Sequence, residues 1–157
     1  MSANLVFAFA VGIGVVAGLR SLMAPAVISW AAHLGWLHLP GTSLGFMGSK
    51  AAVVIFSLLA IGELIGDKLP RVPKRTAAGP LLARIVTGGL SAACLCASAN
   101  QSLGIGAGLG AVGAVIGAFG GYRTRKRLVT QLNVPDLVVA AIEDIVAISL
   151  ALFLVSR

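Results

Sequence analysis

Of 157 residues, 58% are hydrophobic and only 11% charged, against roughly 25% charged in a soluble domain, and the mean hydropathy is +1.00. Long uncharged apolar stretches on this background exclude an ordinary water-soluble enzyme and point to an all-α, polytopic membrane helix bundle. The net charge of +7 sits in clusters beside apolar stretches, without a basic face of interleaved aromatics, so no nucleic-acid partner is expected.

The first predicted span covers about Asn4–Leu19 and runs into Gly18-Leu19-Arg20-Ser21, with Pro25 close behind. Proline inside an apolar stretch breaks or kinks a helix. No basic segment precedes this span, so no cleaved secretory signal is expected. Leu22–Leu39, with Trp30, His33, Trp36 and His38, is of borderline length for a crossing. It reads as a half-helix or re-entrant segment at the membrane boundary, with a complete sixth span as the alternative. After Pro40–Lys50, span two covers about Ala51–Gly66, carries Glu63 and ends at Asp67. Lys68, Arg71, Lys74 and Arg75 then form a basic loop stiffened by Pro70 and Pro73.

Span three, Pro80–Ala99, has Arg84 near its start and Cys94 and Cys96 inside it. With no His or Asp nearby, the cysteines read as small buried apolar residues, and no metal or other cofactor is expected. Span four, Ser102–Tyr122, places Gly106, Gly110, Gly113, Gly117 and Gly121 at intervals of three and four, all on one helical face. In water each glycine would cost about 0.8–1.0 kcal/mol relative to alanine; in lipid such a strip marks close helix packing. A second basic loop, Arg123–Asp136, leads into span five, about Leu137–Val155, which carries Glu143 and Asp144. Both basic loops are expected on the cytoplasmic side, against anionic lipid.

Span one and span four share a pattern. Ala10, Gly14, Gly18, Arg20 and Ser21 superpose on Gly113, Gly117, Gly121, Arg123 and Thr124 at an offset of 103 residues. A Glu follows downstream in each case, Glu63 and Glu143. Residues 1–157 thus read as one integral-membrane domain, with pseudo-repeat halves at about 4–67 and 103–155 linked by span three at about 80–99. Five spans make this an inverted-topology pair of the kind common in secondary transporters; six spans make the repeat parallel and put both termini outside. Either way the strips of Gly14 and Gly18 and of span four invite close helix contact.

Charges inside the apolar stretches must be paired, protonated or set against a wet cavity, since an unpaired one costs from about 2.5 kcal/mol upwards. Glu63, Arg84, Glu143 and Asp144 define a polar centre, with Asp67 beside Glu63 and with Arg20 and Arg123 at the helix breaks. Such a centre can exchange a proton or cation on a carboxylate or hold an anionic group on arginine; equally, it can clamp the spans together. No soluble-enzyme motif is present.

The set Gly18-Leu19-Arg20-Ser21 with Pro25, Glu63 with Asp67, Lys68 and Pro70, Arg84, and Glu143-Asp144 resembles a bacterial integral-membrane family known as domain of unknown function 4126. The resemblance implies a multi-pass protein of the bacterial inner membrane and directs attention to those charged residues, but implies no activity. The expected function is a small transporter, channel or flippase-like protein, acting as a homodimer on an unidentified ion or small polar solute. A non-transporting scaffold with structural charges is the alternative, and an intramembrane lipid-phosphate enzyme ranks last.

Overall fold

A computed structural model describes residues 2–39, 41–66, 77–131 and 133–157; Asp67, Lys68, Arg71, Lys74 and Arg75 lie outside them. Among the described residues there are six α-helices and no strand. The first, α1 (Ala3–Leu19), ends where Arg20 turns extended at φ −138° and ψ 106°. After this break α2 (Met23–His33) begins. Pro25 lies in its first turn, where a missing N–H leaves no intrahelical bond unmade. Gly35, at φ +80°, closes α2, and the Trp36 N–H donates back to the Ala31 carbonyl at 2.8 Å. Glycine suits this left-handed closure because it has no Cβ to clash.

A 3-10 turn, Gly45–Gly48, leads to α3 (Lys50–Gly66). α4 (Ala78–Ser98) and α5 (Leu103–Gln131) are joined through Asn100, which takes a positive φ of 55° while the Gln101 N–H donates to Cys96 at 2.7 Å. α6 (Asp136–Val155) completes the chain. The helix expected to stop at Tyr122 instead continues through the basic run to Gln131. Residues 123–131 contain neither Gly nor Pro and are rich in good helix formers; the positive φ of Asn133 and the following Pro135 come only later.

The first and last helices share one end of the bundle. Val6 and Phe9 of α1, Ser98 of α4, and Leu154 and Val155 of α6 line a single cleft with Leu37. Gly18 and Leu19, by contrast, meet Arg84 near the start of α4, and the turn after them meets Glu63 near the end of α3. α2 and its closing turn therefore carry the chain back to the end where α1 began. The two ends of the described chain therefore lie at the same end of the bundle.

α1 and α5 run in the same direction. A Cβ on Gly14 would collide with Gly110, and one on Gly18 with Ala114, Ala118 and Gly117, so position rises together on both helices. Gly113 and Gly117 in turn face Val11, Val15, Gly14 and Gly18. α4 fits antiparallel beside them: Gly88 lies against Gly110 and Ala114, and Gly106 against Cys96 and Ala92. This parallel arrangement overturns the inverted pairing of spans one and four. Nor do the other repeat partners match. Arg20 ends α1 while Arg123 lies within α5, and Glu63 is near the end of α3 while Glu143 is in the first half of α6.

α4, α5 and α6 are each long and apolar enough to cross a membrane, and α1 is a shorter apolar helix, which marks a membrane protein. α3 packs chiefly on α2 and the 3-10 turn.

Candidate functional site

The break between α1 and α2 leaves helix ends without intrahelical partners, and side chains from other helices fill both roles. Arg84 of α4 donates through Nη1 to the Gly18 and Leu19 carbonyls at 2.9 and 3.2 Å, closing the end of α1. Glu63 of α3 accepts from the Ser21 N–H at 2.8 Å, the Ser21 hydroxyl at 2.9 Å and the Leu22 N–H at 2.8 Å. Leu22, the residue before α2, has no side-chain cap of its own; the carboxylate of another helix supplies it, where the positive end of the helix dipole favours negative charge. Arg84 and Glu63 approach each other at 3.9 Å.

Arg20, at the break itself, is fully buried and pairs with Asp144 of α6 at 2.6 Å. One short segment, residues 18–22, thus gathers side chains from α3, α4 and α6. The four charges concerned are nearly inaccessible: 5% for the Arg84 side chain and 14% for the Asp144 side chain, the most open.

Glu143 belongs elsewhere. It turns away from its neighbour Asp144, as the roughly 100° rotation per helical residue requires, and approaches Arg125 of α5 at 3.9 Å. Arg125 also donates through Nε and Nη2 to the two carboxylate oxygens of Asp136, both at 2.7 Å. These contacts fall into two groups, one around Arg20 and Arg84 and one around Arg125. Arg123, expected at a helix break, is exposed along α5, and Asp67 falls outside the described residues. Arg125 and the pairing role of Asp136 are additions that the sequence reading missed. Their signal is the spacing of a basic residue and a helix-starting acid across one interhelical turn.

The packing glycines have different neighbours. Gly14, Gly18, Gly113 and Gly117 lie between α1 and α5, whereas Gly106 and Gly110 also face α4. Gly121 is half-buried and lines a cleft between α5 and α6. Cys94 and Cys96 are buried and free. Trp30 donates to the Ser57 hydroxyl at 3.0 Å, and His33 Nδ1 lies 2.9 Å from the Gly48 carbonyl. Among the described residues no group of His, Cys, Asp and Glu has the arrangement of a metal site.

A helical membrane protein with a charge-capped helix break is the class these features define. The chain belongs to the family described as Domain of unknown function (DUF4126), whose model matches residues 7–156. No curated protein and no solved structure matches it.

Proposed function

We propose that the protein is a small multi-pass transporter, channel or flippase-like protein of the bacterial inner membrane. It moves an ion or a small polar or anionic solute past the break between α1 and α2. The carrying observation is that the start of α2 and Arg84 converge on one replaceable group, the Glu63 carboxylate. Helices interrupted inside a bundle, with a half-helix N-terminus aimed at an anionic group, are how secondary transporters build their sites. Protonation of Glu63 frees those donors, and an anionic group on the solute takes the place of the carboxylate. Coupling to a proton follows from this exchange.

In this reading the basic end of α5 lies on the cytoplasmic side, where anionic lipid gathers, and both chain ends, at the other end of the bundle, lie outside. A homodimer enlarges the volume available to a pathway in so short a chain. Proton-coupled flux in proteoliposomes tests this reading: Glu63→Gln should abolish it while folded protein is recovered, and undiminished flux overturns it.

The pairing of every described carboxylate in the helices favours a second reading, a scaffold whose charges fix packing. An absence of ion or solute flux in the parent protein, with Glu63→Gln unfolding, selects that reading.

A further inference from the structure

Two kinds of contact hold the bundle together, and they meet at the break. In lipid no hydrophobic drive presses apolar helix faces together, so interlocked backbones and side-chain hydrogen bonds decide which helices stay fixed to one another. α1, α4 and α5 are interlocked: a Cβ at Gly14, Gly88, Gly110 or Gly117 would run into the backbone of a neighbouring helix. α2 and α3 are instead pinned by hydrogen bonds spread along the length of α2. Glu63 accepts from Ser21 and Leu22 at its start, and Trp30 donates to Ser57 in its second half. At its end the His33 Nδ1–H donates to the Gly48 carbonyl of the 3-10 turn.

The face of α2 turned away from Trp30 and His33 carries Ala24, Val27, Ile28 and Ala31, which join the hydrophobic core through aliphatic contact. α3 leans on α2 and the 3-10 turn, while its Val54, Leu58, Ile61 and Ile65 are exposed. At the break, Arg84 of α4 faces Glu63 of α3 across 3.9 Å, too far for a hydrogen bond. Arg20, in extended conformation between α1 and α2, supplies a joint. We propose that α2, the 3-10 turn and α3 are a hairpin arm that rocks as one body against α1, α4 and α5. It turns about Arg20, and its motion widens and narrows the seam between Arg84 and Glu63. As the moving part of a pathway the arm rests on the transport reading; as a body that moves it does not.

Double electron–electron resonance in nanodiscs tests the arm, with spin labels at exposed positions in a Cys94→Ala, Cys96→Ala background. The arm-to-core pair, Leu58→Cys with Val112→Cys, should give a distance distribution several ångströms broader than two reference pairs. These are Leu34→Cys with Ile65→Cys inside the arm, and Leu82→Cys with Ile105→Cys inside the core. Trp30→Phe combined with His33→Ala removes two pins and should broaden the distribution inside the arm but not that inside the core. An arm-to-core distribution as narrow as the references, or an arm pair as broad as the arm-to-core pair in otherwise unaltered protein, overturns the proposal. Flux in proteoliposomes gives the second readout. A bifunctional thiol reagent joining Leu37→Cys to Leu154→Cys, which line one cleft, should stop it. Undiminished flux in the bridged protein overturns the arm as the moving part. No flux in the unbridged parent, with the arm still mobile, removes the transport reading and leaves the arm standing.

Discussion

The two charged clusters use the same chemistry in different surroundings. At the break, Arg20 and Arg84 are buried and meet carboxylates from α6 and α3, and Arg84 also holds backbone carbonyls. At the foot of α5, Arg125 meets Asp136 with better geometry, two hydrogen bonds of 2.7 Å, but the Asp136 side chain is 61% exposed. Good geometry in water contributes little, because solvent screens the pair. In a buried site removing one partner strands the other, so truncation is costly even where the pair itself adds little net stability. Distance alone does not separate the clusters, since Arg20 and Asp144 stand 2.6 Å apart and Arg125 and Asp136 2.7 Å.

Changes at the helix seam beneath the break should have the largest effect. Gly117→Leu places its side chain against Val15 and the Gly18 Cα. Since backbone cannot yield as a side chain can, the expected result is loss of monodisperse protein in detergent. Gly120→Leu, with nothing within 4 Å of its Cβ position, is the matched control and should behave as the parent. Next comes the break: removing one buried partner costs about 3–5 kcal/mol, so Glu63→Ala should sharply lower the unfolding midpoint. Hydrogen exchange at Ser21 and Leu22 should accelerate with it. Asp144→Asn combined with Arg20→Met, analysed as a double-mutant cycle, should give coupling within the roughly 0.5–3 kcal/mol of contacting networks. The same cycle on Arg125 and Asp136 should yield about 0.2–1 kcal/mol and shrink as salt is raised. Coupling larger at Arg125 than at Arg20 would remove the contrast drawn between buried and exposed pairs.

Local pattern made some of this legible before any coordinates. The intervals of Gly106, Gly110, Gly113 and Gly117 mark a helix face because the helical period is a local property. Likewise, Glu63 and Arg84 flank one connection, so a hairpin brings them towards each other. What depends on direction was not legible. Whether α1 and α5 run parallel is decided by whether residues 22–37 turn back, and a short segment carries no such information in its composition. The stop expected at Tyr122 failed because a run of charges resembles a loop, while Arg123–Gln131 has ordinary helix-forming residues throughout. That extension in turn brings Arg125 to Asp136, so missing the one meant missing the other. Ser21 stood in the quoted Gly18–Ser21 patch, yet its role as a donor to Glu63 needed the break to be seen.

The ring of Phe9 stands 6.4 Å from that of Phe153, so the outer reaches of the first and last helices are immediate neighbours. Two copies joined by a short hydrophilic tether would consequently enter the bilayer facing the same way, with no extra crossing needed between them. A tandem fusion of this kind provides a covalent way to ask whether same-facing pairs work.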